Sequence, residues 1–127
     1  MSTYFLDRDD VLTAATAAFG GTVQVRDFGL LDAAVARPRS SVFGVDAYPD
    51  DWQKAAALLH SLARNHALVD GNKRAAWAAA WVFLGCNDVL LDPGFDVDAA
   101  YDFMIAAATG ELEVDSIADG LRSFALI

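Results

Sequence analysis

Nine consecutive residues, His66-Ala67-Leu68-Val69-Asp70-Gly71-Asn72-Lys73-Arg74, concentrate most of the reactive chemistry of this chain. An imidazole such as His66 takes up a proton near neutral pH and suits general-base work. Asp70 offers the hard oxygen that Mg²⁺ prefers. Gly71 lets the backbone come close to a ligand, Asn72 caps or hydrogen-bonds, and Lys73 and Arg74 add cationic donors. If a helix starts at Asn72, its first N–H groups lack intrahelical partners and form an anion site. Base, metal ligand and anion cradle together are what phosphoryl or nucleotidyl transfer needs.

Other residues earn less. His60 precedes His66 by six positions, about 240° around a helix, so the two cannot form a metal pair, and His60 reads as structural. Arg64 reads either as a solvated helix residue or as a group near substrate or phosphates. Trp77 and Trp81, spaced i, i+4, read as core rather than as a base-stacking platform. Cys86 has no basic neighbour in sequence to lower its pKa, so no nucleophilic role is expected of it. No Gly-x-Ser-x-Gly elbow supports a Ser61/His66 hydrolase pair. Gly71-Asn72-Lys73 is not a phosphate loop of the Walker type, which needs an earlier glycine and a Ser or Thr after the lysine.

The elements that must position these groups are helical. Leu6, Val11, Leu12, Ala15, Ala18 and Phe19 recur at helical spacing, with Asp7 or Asp9 as cap and Gly20-Gly21 as stop. A short helix is predicted over Asp27 to Ala36, ended by Arg37-Pro38 because a residue before proline disfavours the α region. Arg39 to Pro49 lacks helical pattern, and Ser40 to Val45 suits a short extended flap. A helix from Asp50 or Asp51 to His66 leads through Ala67–Gly71 into Asn72 to about Gly85. That helix is nearly all apolar after Arg74 and is therefore expected at the centre of the domain. Two more helices follow, at Asp96–Thr109 and Asp115–Phe124. The expectation is one all-α domain over residues 1–127, a bundle of about six helices with a small flap.

Composition narrows the partners. The chain has 127 residues, 55% of them hydrophobic, and a net charge of −9. Residues 75–121 carry no Lys or Arg and nine acids, so a basic face for duplex nucleic acid is missing. One cysteine excludes an internal disulfide, and with two histidines it cannot complete a four-ligand Cys/His zinc site. The N-terminus lacks the basic start and apolar core of a signal peptide, and the longest apolar stretch, Ala75–Cys86, is about half a membrane span. A cytoplasmic protein without membrane or nucleic-acid partners is expected.

The nine-residue segment resembles the signature of the Fic/Doc superfamily, His-x-Phe-x-Asp/Glu-Gly-Asn-x-Arg at a helix–loop–helix, and Asn-Lys-Arg points to its Doc branch. Gly20-Gly21, Arg26-Asp27 to Leu30-Leu31, Ala36-Arg37-Pro38 and Ala107–Glu111 extend the likeness along the chain. Two departures lie inside the motif: Ala67 and Leu68 stand where the family usually has Pro and Phe, and Leu68 is expected to plug the core in place of the Phe. AMP-transferring members carry Gly at the place of Lys73 and a second Arg at the place of Trp77. The resemblance therefore implies a Doc-like kinase using ATP and Mg²⁺, with His66 as base and Asp70 as metal ligand. Gly71, Asn72, Lys73 and Arg74 would surround the phosphates. It further implies a threonine of elongation factor Tu as target, and an antitoxin whose C-terminal segment folds on binding. The alternatives are protein AMP transfer by the same loop or a silent binding module of the same fold. An internal autoinhibitory motif, Ser/Thr-x-x-x-Glu-Gly/Asn, is absent, because Thr109 and Glu113 are followed by Val114.

Overall fold

Aspartates set the start of four of the six helices in this computed structural model, which describes residues 2–126. Asp7 caps α1 (Arg8–Phe19) by accepting from the Asp10 N–H, while the Asp10 carboxylate accepts from the Asp7 N–H. Asp50 and Gln53 make the same reciprocal box for α3 (Asp51–Arg64). Asp27 caps α2 (Phe28–Ala36) and Asp96 caps α5 (Val97–Thr109). Each cap satisfies an N–H that the helix leaves orphaned, worth about 1 kcal/mol. The remaining helices, α4 (Asn72–Cys86) and α6 (Val114–Phe124), have no side-chain cap. Glycines in the left-handed region, Gly20 and Gly110, close α1 and α5.

The α-helix stops at Ala36 as expected, but not because Arg37 leaves the α region. Arg37 is α-helical (φ −57°, ψ −41°), and the chain tightens into a 3-10 turn over Arg37–Arg39 before Ser40 turns extended. Pro38 sits at the start of that turn, where its missing N–H is no loss. The Arg37 side chain offsets the unfavourable pre-proline conformation through bonds to Tyr48 Oη (2.9 Å) and Ser61 Oγ (3.0 Å). The flap is a two-stranded antiparallel hairpin, β1 (Ser41–Val42) and β2 (Val45–Asp46). Its turn residues Phe43 (φ 52°) and Gly44 (φ 77°) both take the left-handed values of a tight primed turn. Lys54, 4% exposed, holds the hairpin base from α3, with Nζ 2.5 Å from the Tyr48 carbonyl and 3.2 Å from that of Pro49.

The core confirms an all-α bundle with a minimal flap. It differs from expectation in which helix is its hub. α3 packs against α2, α4, α5 and α6, whereas α4 leaves Lys73, Arg74, Val82, Gly85 and Cys86 exposed. Ala55, Ala56 and Ala63 on α3 and Ala76, Ala79 and Ala80 on α4 are all fully buried. Small side chains let two helices approach closely, so an apolar run can be dense in alanine and still present an open edge. No helix among the described residues is long and apolar enough to cross a membrane.

Candidate active site

The helix ending at Arg64 and the one beginning at Asn72 are joined by a loop whose backbone is held almost residue by residue. Asn65 donates from Nδ2 to the Leu30 carbonyl (3.0 Å), and its Oδ1 accepts from the Ala67 N–H (3.2 Å). The Arg26 and Asp27 N–H groups donate to the Ala67 carbonyl (2.7 and 3.1 Å), and the Val69 N–H donates to the Gln24 carbonyl (2.9 Å). Residues 24–27 and 67–69 thus pair as a short ribbon, with an antiparallel bridge between Val25 and Leu68. Leu68 is 3% exposed and packs with Ala15 and Ala75. It plugs the core as expected, although it is smaller than the family's Phe.

His66 lies in the left-handed region at φ 53°. That conformation costs a non-glycine residue roughly 1–2 kcal/mol and persists only because both flanks are fixed. Gly71 is left-handed too (φ 80°), and a Cβ there would lie 2.7 Å from Phe19 Cδ1. Both the torsion and the ring therefore demand glycine. Asp70 accepts the Gly71 N–H on Oδ1 at 2.7 Å, and its carboxylate is exposed. Asn72 bonds both ways to one residue: Nδ2 donates to the Leu68 carbonyl and Oδ1 accepts from the Leu68 N–H, each at 3.0 Å. Its side chain is thereby a clamp on the loop, and what it presents to a ligand is its backbone N–H.

All six sequence candidates, His66, Asp70, Gly71, Asn72, Lys73 and Arg74, line one open cleft of about 790 Å³. That volume lies within the roughly 300–1,000 Å³ range of small-molecule sites. The facing wall was not foreseen. It comes from α5, where Val97, Tyr101, Met104 and Ile105 line the cleft and Val97 (69%) and Tyr101 (65%) stay largely exposed. Its helical spacing looks in sequence like any core-facing stripe, and only the exposure separates the two. Trp77 sits between the categories: it packs on Phe95, Phe103 and Phe124 at ring-centre distances of 5.4–6.4 Å and also forms part of the cleft wall. Trp81, as expected, is buried.

The charge on α4 is arranged against the helix's own stability. Among the other helices, α1, α3, α5 and α6 carry an acid in the first turn, where the dipole favours one. α4 has none there and places Lys73 and Arg74 in that turn instead. Each such cation costs roughly 0.3–1 kcal/mol before any anion binds. The result is a positive helix end, with free N–H groups, facing an open cleft.

Arg64 and His60 stand outside this cleft. The Arg64 guanidinium lies over Gly110, its Nη2 about 3.0 Å from where a Cβ would sit, at the C-terminal end of α5, whose last turn has no cation of its own. It complements that helix dipole. His60 Nδ1 is 2.7 Å from Arg37 Nη1, and its Nε2 is 3.5 Å from Arg64 Nη1 and 3.7 Å from the Glu113 carboxylate. Burial, then the two guanidiniums, hold the imidazole below its usual pKa, with Glu113 opposing. A base depressed in the fold is charged more readily once the chain unfolds. Stability should therefore be full above pH 6.5 and decline as pH falls below it. Thermal midpoints measured from pH 7.5 to 5 should fall less steeply in His60→Gln than in the parent; parallel slopes would refute the assignment.

The sequence profile of the Fic/DOC family matches residues 5–84, from before α1 to the last turn of α4. The chain belongs to the Fic/DOC family. It is 66% identical over 123 residues to a protein named Toxin Doc from Mycolicibacterium smegmatis, covering 97% of this chain and 95% of the relative. It is 35% identical over 109 residues to Protein kinase doc of Escherichia phage P1, covering 86% of this chain and 83% of that protein. The Fic/DOC profile ends before α5, so the apolar cleft wall lies beyond the matched segment, while the alignment to Toxin Doc spans nearly the whole chain.

Proposed function

We propose that this Fic/DOC chain is a toxin kinase that moves the terminal phosphate of ATP to a Ser or Thr hydroxyl of a protein. The observation carrying the proposal is the uncapped, doubly cationic start of α4, opening on a cleft whose rim holds His66 and Asp70. The names of two relatives, Toxin Doc and Protein kinase doc, support the same reading. In it, the α4 N–H groups, Lys73 and Arg74 hold the phosphates, and the apolar α5 wall receives the rest of the nucleotide. His66 takes the proton from the attacking hydroxyl. Among the described residues no cluster of three or more His, Cys, Asp or Glu side chains could cage a metal ion. Mg²⁺ needs no such cage, because it keeps several waters and binds through one or two carboxylates plus substrate phosphates. The exposed Asp70 fits that donor set, and the ion would neutralise developing phosphate charge.

AMP transfer by the same loop is the less favoured reading. It calls for a second arginine where Trp77 stands, and Trp77 is anchored in an aromatic cluster. The hairpin is tied to α3 through Lys54 and Asp46 (3.5 Å) and exposes Val42, Phe43 and Val45, a surface on which a target segment can add as a strand. Elongation factor Tu, the target the resemblance implies, is the first protein to try. An antitoxin whose C-terminal segment orders on this chain would supply restraint from outside. The deciding experiment incubates purified protein with ATP, Mg²⁺ and elongation factor Tu and weighs the product. A gain of one phosphate supports the reading, and a gain of AMP overturns it.

A metal prediction follows. Asp70→Asn keeps an oxygen to accept the Gly71 N–H but removes the charge that holds Mg²⁺. The Mg²⁺ concentration for half-maximal transfer should rise about tenfold, equivalent to roughly 1.4 kcal/mol. Thermal stability should stay within about 0.5 kcal/mol, as for other exposed substitutions. Equal Mg²⁺ titrations for mutant and parent would place the metal elsewhere.

A further inference from the structure

Three consecutive carbonyls, those of Asn65, His66 and Ala67, point at a single residue 40 positions earlier in the chain. The Arg26 guanidinium donates from Nε to the His66 carbonyl (2.8 Å) and from Nη2 to that of Asn65 (3.3 Å). Its backbone N–H takes the Ala67 carbonyl at 2.7 Å. These carbonyls follow the C-terminus of α3, where the helix dipole favours a cation. Between them lies His66 at φ 53°, the one cleft-lining side chain in this loop whose backbone is strained without being glycine. Arg26 itself is not among the residues that line the cleft, and its guanidinium is taken up by these carbonyls. No carboxylate lies within ion-pair distance of it among the described residues, so the fork is free to serve the loop.

We propose that Arg26 is a positioning residue: its planar fork locks the His66 peptide in the left-handed conformation from which the imidazole faces the cleft. The inference rests on the kinase reading for its consequence in rate, but not for its consequence in geometry. A guanidinium spans two adjacent carbonyls at once, which a lysine ammonium on a flexible stem does not reproduce. A base displaced by about 1 Å loses up to roughly 10²-fold in rate. Ground-state contacts to ATP would be untouched, so the loss belongs in kcat.

The test compares the parent with Arg26→Met and Arg26→Lys in the full chain, by kinetics and by NMR of the two histidine rings. With only His60 and His66 present, a His60→Gln spectrum assigns both signals. Arg26→Met should lower kcat about 10–100-fold with KM for ATP changed less than about twofold. Arg26→Lys should recover only part of it. The His66 ring signal should shift and broaden in both variants while that of His60 stays in place. A purely structural role would instead lower the melting temperature and the folded fraction and leave kcat per folded molecule unchanged, which would overturn the proposal. So would an unmoved His66 signal in folded Arg26→Met. That spectrum needs no turnover, so it judges Arg26 even if the parent transfers no phosphate and the kinase reading itself fails. Arg26→Lys, which retains the cation at the α3 terminus, keeps the test available if the methionine variant unfolds.

Discussion

His66→Ala should reduce phosphate transfer by about 10²–10⁴-fold, the usual share of a positioned general base. The fold should survive the change. His66 is exposed, its backbone carbonyl rather than its ring takes the Arg26 bond, and its neighbours Ala67 and Leu68 carry the buried contacts. A His66→Asn variant serves as a second probe, because asparagine tolerates the left-handed conformation better than most residues and removes the base alone. Both proteins should melt near the parent temperature and bind ATP with similar affinity, while single-turnover phosphate transfer collapses. If folded His66→Ala transferred phosphate at the parent rate, the proton would have to leave by another route, and no second imidazole is available: His60 faces Arg37 and Arg64, away from the cleft.

The parts of this molecule that were legible in the sequence are those governed by local chemistry. Asp7, Asp27, Asp50 and Asp96 each cap the helix they precede, because a short carboxylate satisfies orphan N–H groups wherever it stands. Ser40 to Val45 was legible as a short extended flap for lack of helical pattern, although its Phe43-Gly44 turn and the pairing of Ser41–Val42 with Val45–Asp46 were not. The nine-residue motif was legible for the same reason: six reactive groups close in sequence remain close in space. What was not legible depended on distant partners. Arg37 stays α-helical before a proline because Tyr48 and Ser61 hold its side chain. Asn72 turns its amide back onto Leu68 instead of toward a ligand. Arg26, 40 residues before the base, gives no sign in sequence of gripping its carbonyl. The α5 wall has the periodicity of a buried stripe, yet Tyr101 is open to solvent. Alanine-rich α4 reads as central because hydropathy counts residue types and not the helices available to cover them.

Lys73 offers the sharpest separation of function from stability. It sits in the first turn of α4 with Arg74 beside it and no acid in that turn, an arrangement that the helix dipole disfavours. Removing its charge should therefore leave α4 as stable as before or slightly more so, by a few tenths of a kcal/mol. If the charge holds a phosphate, the same change removes a charge-assisted contact of about 1.5–3 kcal/mol, or roughly 10–150-fold in kcat/KM. Lys73→Gln is the suitable replacement, since it keeps length and helix propensity while losing only the charge. Expected together are an unchanged or raised melting temperature and a strong loss of phosphate transfer. Lys73→Gly, the residue of AMP-transferring relatives, should lose transfer as well, but with lower stability because glycine weakens the helix. It should not gain AMP transfer, because Trp77 still occupies the second arginine's place. A Lys73→Gln protein that phosphorylates at the parent rate would mean that Arg74 and the α4 N–H groups hold the phosphates alone, with Lys73 a solvated charge that the helix tolerates at a loss.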